Sequence, residues 1–164
     1  MRKSMVLVVA ALFAVVASKA SGDEKNTMPP DHGVFAPGDI KWVDAAAILP
    51  SGAKMAVLKG DPSKEGIFVL RLKVPAGYRI MPHWHPAYEN ITVISGEANI
   101  GMGEAFDKTK GVKIPTGGFG YLAPQMHHFF WADGETVIQL HGMGPWQLYY
   151  LNPDDDPRKV ATKR

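Results

Sequence analysis

Residues 77–96 read GYRIMPHWHPAYENITVISG. Their spacing decides what kind of chain this is. His83 and His85 stand two positions apart, and Glu89 follows four positions after the second. Side chains on a strand alternate faces with period 2, so the two imidazoles share a face and can serve one ion. Glu89 opens the run Glu89-Asn90-Ile91-Thr92-Val93-Ile94, whose β-branched residues predict the next strand. A hairpin turning between His85 and Glu89 would return its carboxylate to the histidines, so three metal ligands are expected from one hairpin.

Bounded by Gly77 and Gly96, this pattern resembles the first signature of the cupins, small β-barrel proteins. The resemblance implies a metal held by three His and one Glu, with the last His supplied by a second signature. Gly117, five residues, then Ala123-Pro124-Gln125-Met126-His127-His128 has that signature's overall spacing. It departs from the family pattern at Ala123, where Pro is usual, and at Gln125, where Gly is usual. By this alignment the remaining ligand is His128. The neighbours His127 and His128 point to opposite faces of a strand, so only one can reach a shared ion, and His127 is expected at the rim. The resemblance runs from about Asp39 to Arg158 and includes Gly60-Asp61-Pro62, His141-Gly142-Met143-Gly144-Pro145-Trp146 and Tyr150-Leu151-Asn152-Pro153, which look like those of secreted single-domain cupins.

The 164 residues hold 18 Lys and Arg against 16 Asp and Glu, and no Cys. Part of that basic balance belongs to a leader. Arg2 and Lys3 precede an apolar run, Met5 to Ala17, that is shorter than the ~18 to 20 residues of a membrane span. Ser18-Lys19-Ala20 then offers small residues where a signal peptidase reads them. Residues 1–20 are therefore expected to be a signal peptide, the protein periplasmic or secreted, with no membrane span after cleavage. Without the leader, 15 basic residues face 16 acidic ones, and no basic stripe remains for nucleic acid.

Residues 21–38, with Pro29, Pro30 and Pro37, lack either period and read as an extended lead-in. From Ile40 onward ten short apolar runs alternate with Gly- and Pro-containing turns, over a barrel domain assigned to residues 39–153. The fold class expected is all-β, a double-stranded jelly roll of the cupin kind. Strands are predicted at 40–43, 55–59, 67–74, 89–94, 97–102, 112–114, 119–122, 128–132, 136–141 and 146–151. Only Gly103 to Gly111 looks helical, for one or two turns. Residues 154–164 lack a core-forming pattern and read as a mobile, solvated tail.

No Cys, no Gly-x-Ser-x-Gly elbow and no dinucleotide or phosphate loop is present, so any chemistry centres on the ion. Three imidazoles and a carboxylate suit Zn, Mn, Fe, Ni or Cu. Glu89 is both a ligand and the candidate catalytic proton acceptor. Three functions fit: a metal-dependent oxygenase or isomerase on a small molecule, a non-catalytic metal-dependent binding protein, or a barrel with a purely structural metal. Gln139 and His141 share a strand face that looks either to solvent or into the pocket. Trp84, Phe129 and Trp131 lie opposite the inward histidines and would be exposed unless another layer covers them, which predicts a homodimer.

Overall fold

The ten alternating runs, together with Arg79–Trp84, which is not among them, give eleven strands in the computed structural model, which describes residues 31–160. They are β1 (Val43–Asp44), β2 (Lys54–Lys59), β3 (Gly66–Val74), β4 (Arg79–Trp84), β5 (Glu89–Ser95), β6 (Glu97–Met102), β7 (Gly111–Pro115), β8 (Phe119–Leu122), β9 (His128–Trp131), β10 (Thr136–Gly144) and β11 (Tyr149–Tyr150). The leader expected at residues 1–20, most of the expected lead-in and residues 161–164 lie outside the described part. The compact unit that carries the strands begins at Phe35.

All strand pairings are antiparallel and fall into two sheets. One runs β1-β2-β3-β10-β5-β8, the other β11-β4-β9-β6-β7. This is an all-β jelly roll. Period-2 burial along β3 turns Phe68, Leu70, Leu72 and Val74 inward, and Ile138 and Leu140 of β10 join them in one core. Across the gap Ile80, Ile100 and Phe130 of the second sheet complete it.

The expected hairpin at residues 77–96 is corrected by this topology. β4 pairs with β9 and β11, whereas β5 pairs with β10 and β8, so residues 85–88 cross from one sheet to the other. Glu89 therefore meets the histidines across the sandwich. A bulge in β4 makes this possible: Ile80 lies opposite Phe130 and His83 opposite His128, so three positions of β4 span two of β9. The irregularity lets Ile80 and His83 both face inward despite their odd spacing, and it accommodates Pro82, which cannot donate to a ladder.

Two of the three outer aromatics of the second sheet are covered within the chain, while Trp84 stays half-buried, stacked on Tyr149 at 4.4 Å. Phe129 and Trp131 are 0% and 5% exposed, because the ring of Phe106 packs on both at 5.0 and 5.8 Å. Gly101 and Gly111 give the room, since a Cβ at either would overlap the Phe129 or Trp131 ring. This removes the reason those two residues gave for a homodimer. Committing Phe106 to that contact also limits the helix expected at 103–111 to one 3-10 turn, Lys108–Lys110, capped by Asp107.

Both ends of the strand series are shorter than expected. Only Val43–Asp44 of the first run forms a strand, and only Tyr149–Tyr150 of the last. Ahead of β11, the Trp146 N–H donates to Pro62 and the Gln147 carbonyl serves His85, so neither is free for a ladder. The solvated tail is corrected for its first part. Pro153–Asp155 forms a 3-10 turn and α1 (Pro157–Val160) follows, with Asp156 buried and holding the Arg158 guanidinium at 2.6 to 3.2 Å.

Candidate metal centre

His83 and His128 are direct cross-strand partners on β4 and β9, with ring centroids 4.2 Å apart. His85 lies one residue beyond the end of β4, and Glu89 is the first residue of β5. All four side chains are buried. Ligand atoms of the three histidines lie within 4.8 Å of one another.

Backbone carbonyls settle which nitrogen each ring presents. Nδ1 of His83 lies 2.7 Å from the Met81 oxygen, Nδ1 of His85 2.6 Å from the Gln147 oxygen, and Nδ1 of His128 2.9 Å from the Met126 oxygen. A carbonyl only accepts, so each Nδ1 carries the proton and donates it. In the neutral ring Nε2 is left as a bare lone pair. Into the same space Glu89 directs Oε2, 3.1 Å from Nε2 of His128 and 3.6 Å from Nε2 of His85. Nε2 of His85 and Oε2 of Glu89 are buried without a hydrogen-bond partner. Lone pairs facing one another at these separations call for a cation, and donors ~2.1 Å from one ion stand about 3.0 to 3.4 Å apart. The residues fit a divalent metal.

For His83, His85 and Glu89, electrostatics favour the protonation state a metal needs. Burial, then the neighbouring His128 and His85, push the His83 imidazole well below its ordinary value. Burial also pushes His85 down, against the opposing pull of Glu89 and the Gln147 carbonyl. For Glu89 burial acts upward, but positive charge on the His85, His128 and His83 side outweighs it and holds the carboxyl below the usual carboxylate range, the same attraction that a bound cation would supply.

The cluster opens on a cavity of about 320 Å³ between the sheets. Trp146 belongs to its wall and stacks on the His85 ring at 4.1 Å and 15°, while the next residue's carbonyl holds His85 Nδ1. Sequence reasoning missed this clamp, although Trp146 sits in a quoted cupin-like segment. His127 turns to the other face and meets Glu104 at 3.0 Å. Gln139 and His141 lie on the outer face of their sheet, where Gln139 accepts from Arg71 and His141 stacks on Phe119. Gln125 adopts φ 64°, the left-handed conformation for which Gly is suited, and its N–H donates to the His85 carbonyl at 2.8 Å. Tyr78 is buried with its hydroxyl on Pro50, whereas Tyr88 and Tyr121 are exposed. None of Met81, Met102, Met126 and Met143 lines the cavity.

A family model described as the ChrR cupin-like domain matches residues 31–147. A search of curated proteins finds no match. Among solved structures the chain is similar to the polyketide cyclase RemF from Streptomyces resistomycificus, with TM-score 0.64 and 13% identity over 80% of this chain and 93% of that one. An RmlC-like cupin from Ralstonia eutropha gives 0.58 and 18%, covering 80% and 83%. A protein described as a "putative acetylacetone dioxygenase" from Methylibium petroleiphilum gives 0.57 and 18%, covering 79% and 88%. At these identities the likeness is one of fold.

Two measurements test the centre. With His128 as a ligand, His128→Ala should weaken metal binding at least ~10 to 100-fold, the range seen even for residues that merely orient ligands, while His127→Ala leaves it unchanged. Metal content by elemental analysis reads both, and equal loss from both variants would refute the assignment. The second is a pH dependence. Below about 6.5 the unfolded chain takes up protons at His83 and His85 that the folded protein refuses, and below about 4.5 the same holds for Glu89. The unfolded state then binds more protons, so stability falls with acid, by up to about 1.4 kcal/mol per pH unit for each group. The metal-free protein should lose Tm from pH 7 to 5, and His83→Gln should flatten that slope; an unchanged slope would contradict the shifts.

Proposed function

Because the chain belongs to the ChrR cupin-like domain family, we propose that it is a metal-dependent enzyme of the oxygenase or isomerase type acting on a small molecule. The support is one observation: three Nε2 lone pairs and a carboxylate converge beside a cavity of substrate size. His83, His85, Glu89 and His128 would hold the ion, for which Zn, Mn, Fe, Ni and Cu all remain compatible with the donor set. When bound, such an ion polarises a substrate oxygen or, if redox-active, supports oxygen chemistry. Among the described residues Glu89 is the one carboxylate in the cavity wall, and to it we assign the acceptance of a substrate proton.

Protein loaded separately with Fe(II), Ni(II), Mn(II) and Zn(II) should consume oxygen or rearrange a member of a panel of small carbonyl, enol and phenolic compounds. Binding without turnover under every metal would make it a binding protein. If azide leaves the visible spectrum of the Co(II)-loaded protein unchanged, the coordination is closed and the metal structural.

We also propose export, on the leader pattern of residues 1–20, and a homodimer. For the dimer, support comes from the outer face of the six-stranded sheet, where Ile67, Phe119, Tyr121 and Met143 are exposed. Mass spectrometry and light scattering on protein recovered outside the cytoplasm should show a chain starting at Ser21 and twice its mass. A retained leader or a monomeric mass would remove the corresponding proposal.

A further inference from the structure

The ligand that fits this cavity can be described chemically. By strand register the four candidate ligands sit at one end of the sandwich, at the close of β4 and the openings of β5 and β9. One step further in, the wall changes character. Ile80 and Phe130 follow His83 and His128 along their strands, and Ile91 follows Glu89. Facing Ile80 and Phe130, and on the same sheet as Ile91, Leu72, Ile138 and Leu140 line the same space. Among the described residues, no polar side chain interrupts this inner part, and the unpartnered buried Nε1–H of Trp146 belongs to the ring stacked on His85 at the cluster end. A hydroxyl group buried there would lose its water partners and find none in return, which disfavours sugars and other polyols.

Charge is equally constrained. Apart from the metal cluster, the only ionised group in the wall among the described residues is Arg158, and its guanidinium is already paired with Asp156 through Nε at 2.9 Å and Nη2 at 2.6 Å. A ligand carboxylate or phosphate would meet a guanidinium whose charge that carboxylate already balances and whose Nε–H and Nη2 are already engaged. An apolar cavity of about 320 Å³ also lowers the stability of a barrel left without an occupant, because its lining forgoes packing contacts.

From these observations we propose that the natural ligand is an uncharged, mostly apolar molecule with one oxygen-donor end, of on the order of 15 non-hydrogen atoms. The donor end meets the metal cluster and rests on the metal-centre reading. The apolar body lies against the inner wall and does not.

The test uses the Zn(II)-loaded protein under nitrogen and isothermal titration with three probes sharing one chelating head. These are catechol, 4-phenylcatechol, which adds an apolar body, and 3,4-dihydroxycinnamate, which adds a charged one of similar length. 4-Phenylcatechol should bind at least tenfold more tightly than either of the others. Ile48→Trp, placed in a loop of the wall, and Ile138→Phe, within it, should each abolish that gain while zinc content stays constant. Equal affinities for catechol and 4-phenylcatechol, or tighter binding of 3,4-dihydroxycinnamate, would overturn the proposal. 4-Phenylphenol, which cannot chelate, separates the two readings. If the protein takes up no zinc, the metal-centre reading fails; binding of 4-phenylphenol to the metal-free protein, lost in Ile48→Trp, would still support the apolar body, and absence of binding would overturn it.

Discussion

Three hydrogen bonds from imidazole Nδ1 to main-chain oxygens govern the interior of this barrel. Each bond fixes a ring's tautomer and rotation together, so three basic nitrogens are delivered to one place before any ion arrives. The backbone is shaped to supply those oxygens. The bulge in β4 lets His83 face inward with the Met81 carbonyl behind it, and Met126 serves His128 in the same way from two residues upstream. His85 lies beyond its strand and takes its oxygen from Gln147, sixty-two positions away in sequence. That long-range bond, with Trp146 stacked on the ring, ties the last part of the sandwich to the ligand cluster.

The two faces of the second sheet solve opposite packing problems. On the outside Phe129 and Trp131 are closed under Phe106, and two glycines admit the large rings. Inside, the wall facing the cluster is apolar yet not filled. A core that can bring aromatic rings to nearly zero exposure on one face but keeps a substantial void on the other is divided between stability and binding. The histidines sit where those requirements meet, buried and yet open to the cavity.

Much of this was legible in the residues. Turn chemistry and apolar alternation marked most strands, and the spacing of His83, His85, Glu89 and His128 located the residues that converge. The hairpin was misjudged because alternation says which residues share a face and nothing about which strand pairs with which. Two antiparallel strands joined by a short turn look the same in sequence whether they pair or part into opposite sheets. Trp146 and Gln147 escaped for a related reason: one acts by stacking and the other through its carbonyl, and neither role leaves a residue pattern. The Phe106 cover was invisible because it depends on two glycines meeting aromatics from another strand. Gln125 is instructive in the other direction. A departure from the usual Gly did not change the backbone course, which still takes the left-handed conformation and still donates to the His85 carbonyl.

The bonds that aim the imidazoles end on main-chain oxygens, and those oxygens are present whatever side chains the residues carry. Substitution at Met81, Met126 or Gln147 need not disturb the tautomers so long as the chain keeps its path. Meanwhile, the wall residues that meet a ligand stand on neighbouring strand positions and make none of these bonds. Selection can therefore revise ligand preference and preserve the donor set separately, which gives the barrel a fixed reactive end and an exchangeable lining.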